Sequence, residues 1–222
     1  MVVVAFGVAI AAAVALIVGA VVLRSGDDGA ESTPTPLVNF SGIAQNGTVL
    51  GASDATVTLI EYADLQCPAC RAYAESYVPG IVEQYVRPGR IKLDFRGIAF
   101  IGPDSETALR YVLAAGFQNR LWDLQEAMYR NQGGENAGWV TEELVRDLAE
   151  DIDGLDADRM VADAETDVVT AMMAETAQQA DAAGVQGTPS LALQVGTEQP
   201  VLLDSGLSFG ELSQALDAAL DS

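Results

Sequence analysis

The chain has 222 residues, half of them hydrophobic, with 32 acidic against 11 basic side chains and a formal charge of −21. That length supports one domain of ordinary size plus a short appendage, with a core that needs no covalent staples. Phosphate binding requires basic surface, so nucleic acid is excluded as an expected partner.

Lys92 is the single lysine beside ten arginines, and 18 acidic against five basic residues lie between Asp104 and Asp181. Two readings of this acidity stay open. One is a solvated face that keeps an exported domain soluble; the other is a high-salt habitat, where screening makes self-repulsion tolerable.

Val2 to Leu23 is apolar without interruption. At about 1.5 Å per residue such a helix crosses the hydrocarbon layer. It lacks a basic leader and a small-x-small cleavage site, which predicts a transmembrane anchor over residues 1–24 rather than a cleaved signal. Residues 25–38 read as a polar linker, leaving 39–222 as the folded domain. Arg24 lies on the domain side and weighs faintly against an outside domain under the positive-inside rule. The acidic linker and the redox chemistry set out below weigh more. The expected location is the cell membrane, single-pass, with the domain extracytoplasmic.

Thr56 to Tyr62 is rich in β-branched and aromatic residues and predicts a buried strand. Asp64-Leu-Gln66 is the connecting turn. Cys70 to about Val86 has helical periodicity through Tyr73, Tyr77, Ile81 and Tyr85, with Pro79-Gly80 expected to kink or interrupt it. Arg90 to Arg96 alternates as a half-buried strand does. Ser105 to Gln132 then carries Leu109, Val112, Leu113, Phe117, Leu121, Leu124 and Met128 at helical spacing, until Gly133-Gly134. Thr141 opens a helix whose apolar stripe is Leu144, Leu148 and Ile152. Asp156 caps a third helix with Met160, Val161, Val168, Met172 and Met173. These methionines and Trp122 read as core rather than ligand site, although a helical cap could also supply an apolar groove for unfolded chains. A last strand near Pro200–Leu203 and an amphipathic helix from Ser208 to Leu220 close the domain.

Cys67-Pro68-Ala69-Cys70 holds the only two cysteines. A cross-link over so short a loop removes little unfolded-state entropy, so the spacing suits electron exchange better than stapling. Pro68 fits the first helical position. Cys67 then caps the helix, where orphan amides and the dipole stabilise a thiolate. That makes Cys67 the attacking sulfur and Cys70 the resolving one. A strand–turn–helix–strand context reads as redox rather than metal.

With this unit, Glu61 six residues before Cys67, and Gly187-Thr188-Pro189-Ser190 followed by a strand over Leu191–Val195, the chain resembles the DsbA-like branch of the thioredoxin superfamily. Ala114–Gln125 and Ala180–Val185 are similar to the helical-insert segments of that branch. The resemblance covers roughly residues 39–220. It implies an α/β thioredoxin-like fold with an inserted helical subdomain (residues 104–181). It also implies Glu61 as a buried acid moving protons near Cys70, and Pro189 as a cis-proline facing the disulfide. Thr188, Pro68 and Ala69 would meet the substrate. The chain departs from the strong oxidants of this branch, which have histidine where Ala69 stands. A less depressed Cys67 pKa and a milder potential follow, between about −270 mV and −120 mV.

The implied function is a membrane-anchored thiol–disulfide oxidoreductase acting on thiol- or disulfide-containing exported proteins. No organic cofactor and no metal are expected, since the disulfide itself holds the two electrons. With no second cysteine pair, turnover requires a separate membrane redox partner, for oxidation a quinone-linked one. The alternatives are a dedicated extracytoplasmic reductase and a non-catalytic anchored module that binds clients. Zinc is weaker, because two thiolates supply half a tetrahedral site.

Overall fold

The computed structural model describes residues 38–222. The predicted anchor over 1–24 and all but the last residue of the linker lie outside the described residues. Among the described residues no helix is long and apolar enough to cross a membrane.

Gln45–Asn46 (β1), Val49–Gly51 (β2) and Val57–Ala63 (β3) lead into a helical stretch. It runs through Pro68–Ser76 (α1), Val78–Ile81 (α2) and a π-helical turn over Val82–Val86. Ile91–Gly97 (β4) follows, then five helices: Pro103–Gly116 (α3), Leu121–Arg130 (α4), Glu142–Glu150 (α5), Ala157–Ala164 (α6) and Asp167–Ala183 (α7). Ser190–Val195 (β5), Val201–Leu202 (β6) and Phe209–Leu220 (α8) complete the domain. The six strands form one sheet in the order β1-β2-β4-β3-β5-β6. β3 and β4 run parallel; every other pair is antiparallel. This is the thioredoxin-like arrangement with an inserted helical region that the sequence predicts.

β3 is buried along its whole length, as a central strand covered on both faces must be. Its period of two sends Val57, Leu59 and Ala63 into the main core, with α1, the inserted helices and α8. Ile60 and Tyr62 face the other way and pack with Ala180, Ala192, Val185 and Ile98. β4 alternates buried and half-buried residues, as expected for its pattern. Gly97 ends it where a Cβ would stand 2.3 Å from Leu109 Cδ1, so any larger residue would push that side chain aside.

The helix after Cys70 is interrupted next to Pro79-Gly80 as expected, and two other helical segments divide where no break was predicted. The stretch after Cys70 breaks at Tyr77, which ends α1 and precedes Pro79 in the first turn of α2; a proline lacks the N–H that would have continued the ladder. The 105–132 pattern divides into α3 and α4, because Asn119 adopts a left-handed conformation (φ 57°) between them. The third insert helix also divides. Asp156 caps α6 as expected, but Thr166 then accepts from the Val169 amide and starts α7. Its re-phased face buries Val169 and leaves Val168 exposed. In α5, Thr141 caps as predicted, while the deepest positions are Val145 and Ala149, one residue along from the predicted stripe.

Candidate active site

Cys67 ends the turn after β3 and is the N-cap of α1, with Pro68 in the first turn. Both cysteines are free thiols. Cys67 Sγ accepts the Cys70 amide N–H at 3.4 Å, so the sulfur takes the place a serine or aspartate oxygen holds in an ordinary cap. The cysteine pair is therefore built into the helix end: residue three of the cap reaches back to residue zero.

The opposite wall comes from the far end of the chain. The Thr188–Pro189 peptide bond is cis, and the Cys67 thiol donates to the Thr188 carbonyl oxygen at 3.4 Å. Ser190, the first residue of β5, pairs with Tyr62 of β3, and that register carries Thr188 and Pro189 to the C-terminal end of β3 where Cys67 emerges. Pro68 and Ala69 are exposed beside the sulfur, whereas Cys70 is fully buried.

The two sulfurs differ sharply in acidity. Cys67 is lowered from 9.0 to about 5, first by the Cys70 side-chain hydrogen bond, then, against the opposing effect of burial, by the Thr188 side chain and the backbone amides of Cys70 and Ala69. That value lies between the roughly 7 and 3.5 typical of thioredoxin and DsbA. Cys70 is pushed far above the ordinary thiol range, first by burial and then by its hydrogen bond to Cys67. Cys67 is thus the sulfur that ionises readily, and Cys70 the one held as a thiol.

Glu61 sits at the bottom of this site. The period of two that buries Leu59 and Ala63 turns Glu61 onto the same face, the one α1 covers. Its cross-strand partners are Phe95 on β4 and Leu191 on β5, both apolar, so neither neighbour supplies a cation. Its Oε1 is buried without a hydrogen-bond partner. Burial accordingly raises its pKa from 4.5 to about 8, leaving a neutral acid at pH 7. Tyr129 of α4 lies within electrostatic reach of both Cys70 and Glu61, and Tyr73 of α1 within reach of Glu61.

A groove of about 440 Å³ opens next to the sulfurs. Ala69, Ala72, Tyr73 and Tyr77 of the α1 side form one wall, and Pro189 and Leu207 belong to the other. Tyr77 stacks on Tyr73 and donates its hydroxyl to the Leu207 carbonyl, which fixes the floor.

All seven sequence-predicted site residues sit in this region: Cys67, Cys70, Glu61, Thr188 and Pro189, with Pro68 and Ala69 on the rim. The sequence reading missed a second set. Asp64 and Gln66, read only as turn residues, are fully buried, and Ser105, Tyr129, Gln132 and Asn136 of the inserted region bond to that same turn. Only their nearness to Cys67 hinted at this, because polar residues in a turn ordinarily signal solvent. Among the described residues no group of three His, Cys, Asp or Glu side chains could hold a metal ion.

Two sulfurs of such unequal acidity, placed at one helix end, have the chemistry that thiol–disulfide exchange needs. The family profile described as Thioredoxin matches residues 43–217, and the chain belongs to that family. It is 28% identical over 174 residues, 77% of either chain, to the probable disulfide bond formation protein D of Bacillus anthracis. The oxidised BdbD structure from Bacillus subtilis superposes with a TM-score of 0.70 at 20% identity, over 81% of this chain and 98% of that one. A thioredoxin-like oxidoreductase from Silicibacter pomeroyi is similar at a TM-score of 0.63 and 28% identity, over 78% and 92%.

Proposed function

We propose that the protein is a DsbA-like thiol–disulfide oxidoreductase, tethered to the membrane through residues 2–23, that forms disulfides in exported proteins. The observation that carries this reading is the acidified Cys67 thiol at the N-cap of α1, set against a buried Cys70 of opposite shift. The relatives' names, disulfide bond formation protein D, support the same direction.

In the oxidising half-reaction a substrate thiolate attacks Cys67 Sγ of the Cys67–Cys70 disulfide. The enzyme S–S bond breaks, Cys70 leaves as a thiolate, and neutral Glu61 supplies its proton. A second substrate thiolate attacks the substrate sulfur of the mixed disulfide and releases Cys67 as a stable thiolate. Two electrons pass from client to enzyme. A stabilised leaving thiolate favours the dithiol form, which is what makes such a protein an oxidant. Run backwards, Cys67 attacks and Cys70 resolves. Thr188 and Pro189 would hold an extended client beside the sulfur while Pro68 and Ala69 border it. The reduced enzyme then passes its electrons to a separate membrane redox partner.

The test is refolding of reduced ribonuclease with oxidised enzyme, beside an insulin-reduction assay. Rapid disulfide formation that vanishes in Cys67→Ser is expected. Efficient insulin reduction with negligible ribonuclease oxidation would instead mark a reductase, and inactivity in both assays a client-binding module.

A further inference from the structure

The turn that presents Cys67 is held by a buried polar network that the thiol chemistry above does not use. The Asp64 carboxylate is fully buried and collects four donors. Oδ1 accepts the Gln66 amide at 2.8 Å and the Ser105 hydroxyl at 2.7 Å; Oδ2 accepts the Phe100 and Ile101 amides at 2.7 and 2.9 Å. Its backbone carbonyl takes the Cys67 amide at 3.0 Å and the Tyr129 hydroxyl at 3.4 Å. Gln66, also fully buried, donates to Ser105 Oγ at 2.9 Å and Asn136 Oδ1 at 3.1 Å, and accepts the Asn136 amide at 2.6 Å. Gln132 donates to the carbonyls of Leu65 and Cys67 at 2.7 and 3.2 Å.

These bonds join three pieces of chain: the β3–α1 turn, the β4–α3 loop, and the inserted helices. A buried carboxylate is tolerated only when hydrogen bonds replace its hydration, so Asp64 fixes the position of each group that donates to it. The fixed element is the backbone immediately before Cys67. The sulfur accepts the Cys70 amide at 3.4 Å, and the turn ahead of Cys67 sets where that sulfur stands over the helix end, so displacing the turn lengthens and misaligns this contact.

We propose that Asp64 and Gln66 are positioning residues of the redox centre: their network ties the helical insert to the active-site turn and holds Cys67 Sγ over the N-terminus of α1. The inference rests on Cys67 being the reactive sulfur. It assigns the insert a part in setting thiol reactivity in addition to covering the core.

Ultraviolet titration of the thiolate and equilibration with glutathione, on the full chain and its Asp64→Asn and Gln66→Ala variants, test it. Asparagine keeps the shape of aspartate but presents an amide N–H₂ where an acceptor is needed. In both variants the Cys67 midpoint should rise by about one pH unit, and the equilibrium should move about tenfold toward the disulfide. Asp64→Asn separates mechanisms by sign. Removing a negative charge near a thiolate would by field alone lower the midpoint, whereas loss of positioning raises it. A fall in Asp64→Asn overturns the proposal. So do variants that unfold more easily but keep the wild-type midpoint and equilibrium. A wild-type midpoint at the ordinary free-thiol value would instead sink the redox reading itself. If Asp64→Asn does not fold, Gln66→Ala and Ser105→Ala carry the test with the same two readouts.

Discussion

The Cys67 thiol and the Thr188 carbonyl meet at 3.4 Å across 121 positions of sequence. Cys67 Sγ is thus enclosed by two elements that become neighbours only when β5 pairs with β3. Between them lie all five inserted helices, so this site is complete only in the finished fold.

The largest influence lowering the Cys67 pKa is its hydrogen bond with Cys70. In Cys70→Ala the Cys67 midpoint should therefore rise above about 5 while remaining below the free-thiol value, since the Thr188 and backbone donors persist. Cys70→Ala should also accumulate mixed disulfides with client, and Cys67→Ser should form none. Thiolate absorbance against pH and non-reducing gels check both. An unchanged midpoint would show that the helix end alone acidifies the sulfur.

Glu61 predicts an inverted pH dependence of stability. Its folded pKa of about 8 exceeds the unfolded 4.5, so its contribution is whole below 4.5 and fades as pH climbs through 8. The cysteine pair must be removed first, because Cys67, lowered to about 5, contributes in the opposite sense over nearly the same window. In a Cys67→Ala/Cys70→Ala background, stability should fall by a few kcal/mol, in order of magnitude, between about pH 5 and 8. Glu61→Gln should flatten that slope and be the more stable protein at pH 8. Urea titrations across pH read it, and a slope unaltered by Glu61→Gln would refute the buried neutral acid.

The groove beside Ala72 should govern clients and not the chemistry. Ala72 is exposed on its wall, so Ala72→Trp fills space without disturbing the core. The KM for a cysteine-containing peptide should rise about tenfold, equivalent to about 1.4 kcal/mol of lost binding. Exchange with glutathione, too small to need the groove, should keep its rate. Equal slowing of both reactions would count against the groove as a client site.

Trp122 ties the insert to the sheet. It is buried between Phe40 and Phe95, and its indole N–H donates to the Thr48 carbonyl at 3.0 Å. Trp122→Phe should lose about 1 kcal/mol for the hydrogen bond plus a packing loss, and Trp122→Ala about 3–5 kcal/mol. Denaturant midpoints decide this. Trp122 was read from its residue type as core rather than ligand site, and its burial agrees.

What local chemistry dictates was legible: the β-branched run of β3, the caps at Thr141 and Asp156, the helix beginning at Ser208, and the cysteine pair at a helix start all lie where the residues predict. The break at Pro79-Gly80 was legible too, but two others in the inserted region were not. Asn119 and Thr166 interrupt apolar patterns that continue across them, and whether a turn forms there depends on packing that no periodicity records. The Asp64 and Gln66 network was hidden for a related reason. Burial of a polar turn is decided by what folds over it, here helices α3 and α4 and the loop after them. Glu61 could be placed by resemblance, but its lack of a cation follows only from the register that sets Phe95 and Leu191 beside it.

Both margins of the sheet are stubs: β1 and β6 contribute two residues each. Strands this brief offer few free N–H and C=O groups for another chain to extend. The sheet of this domain thus gives extended segments of other chains little template on which to grow.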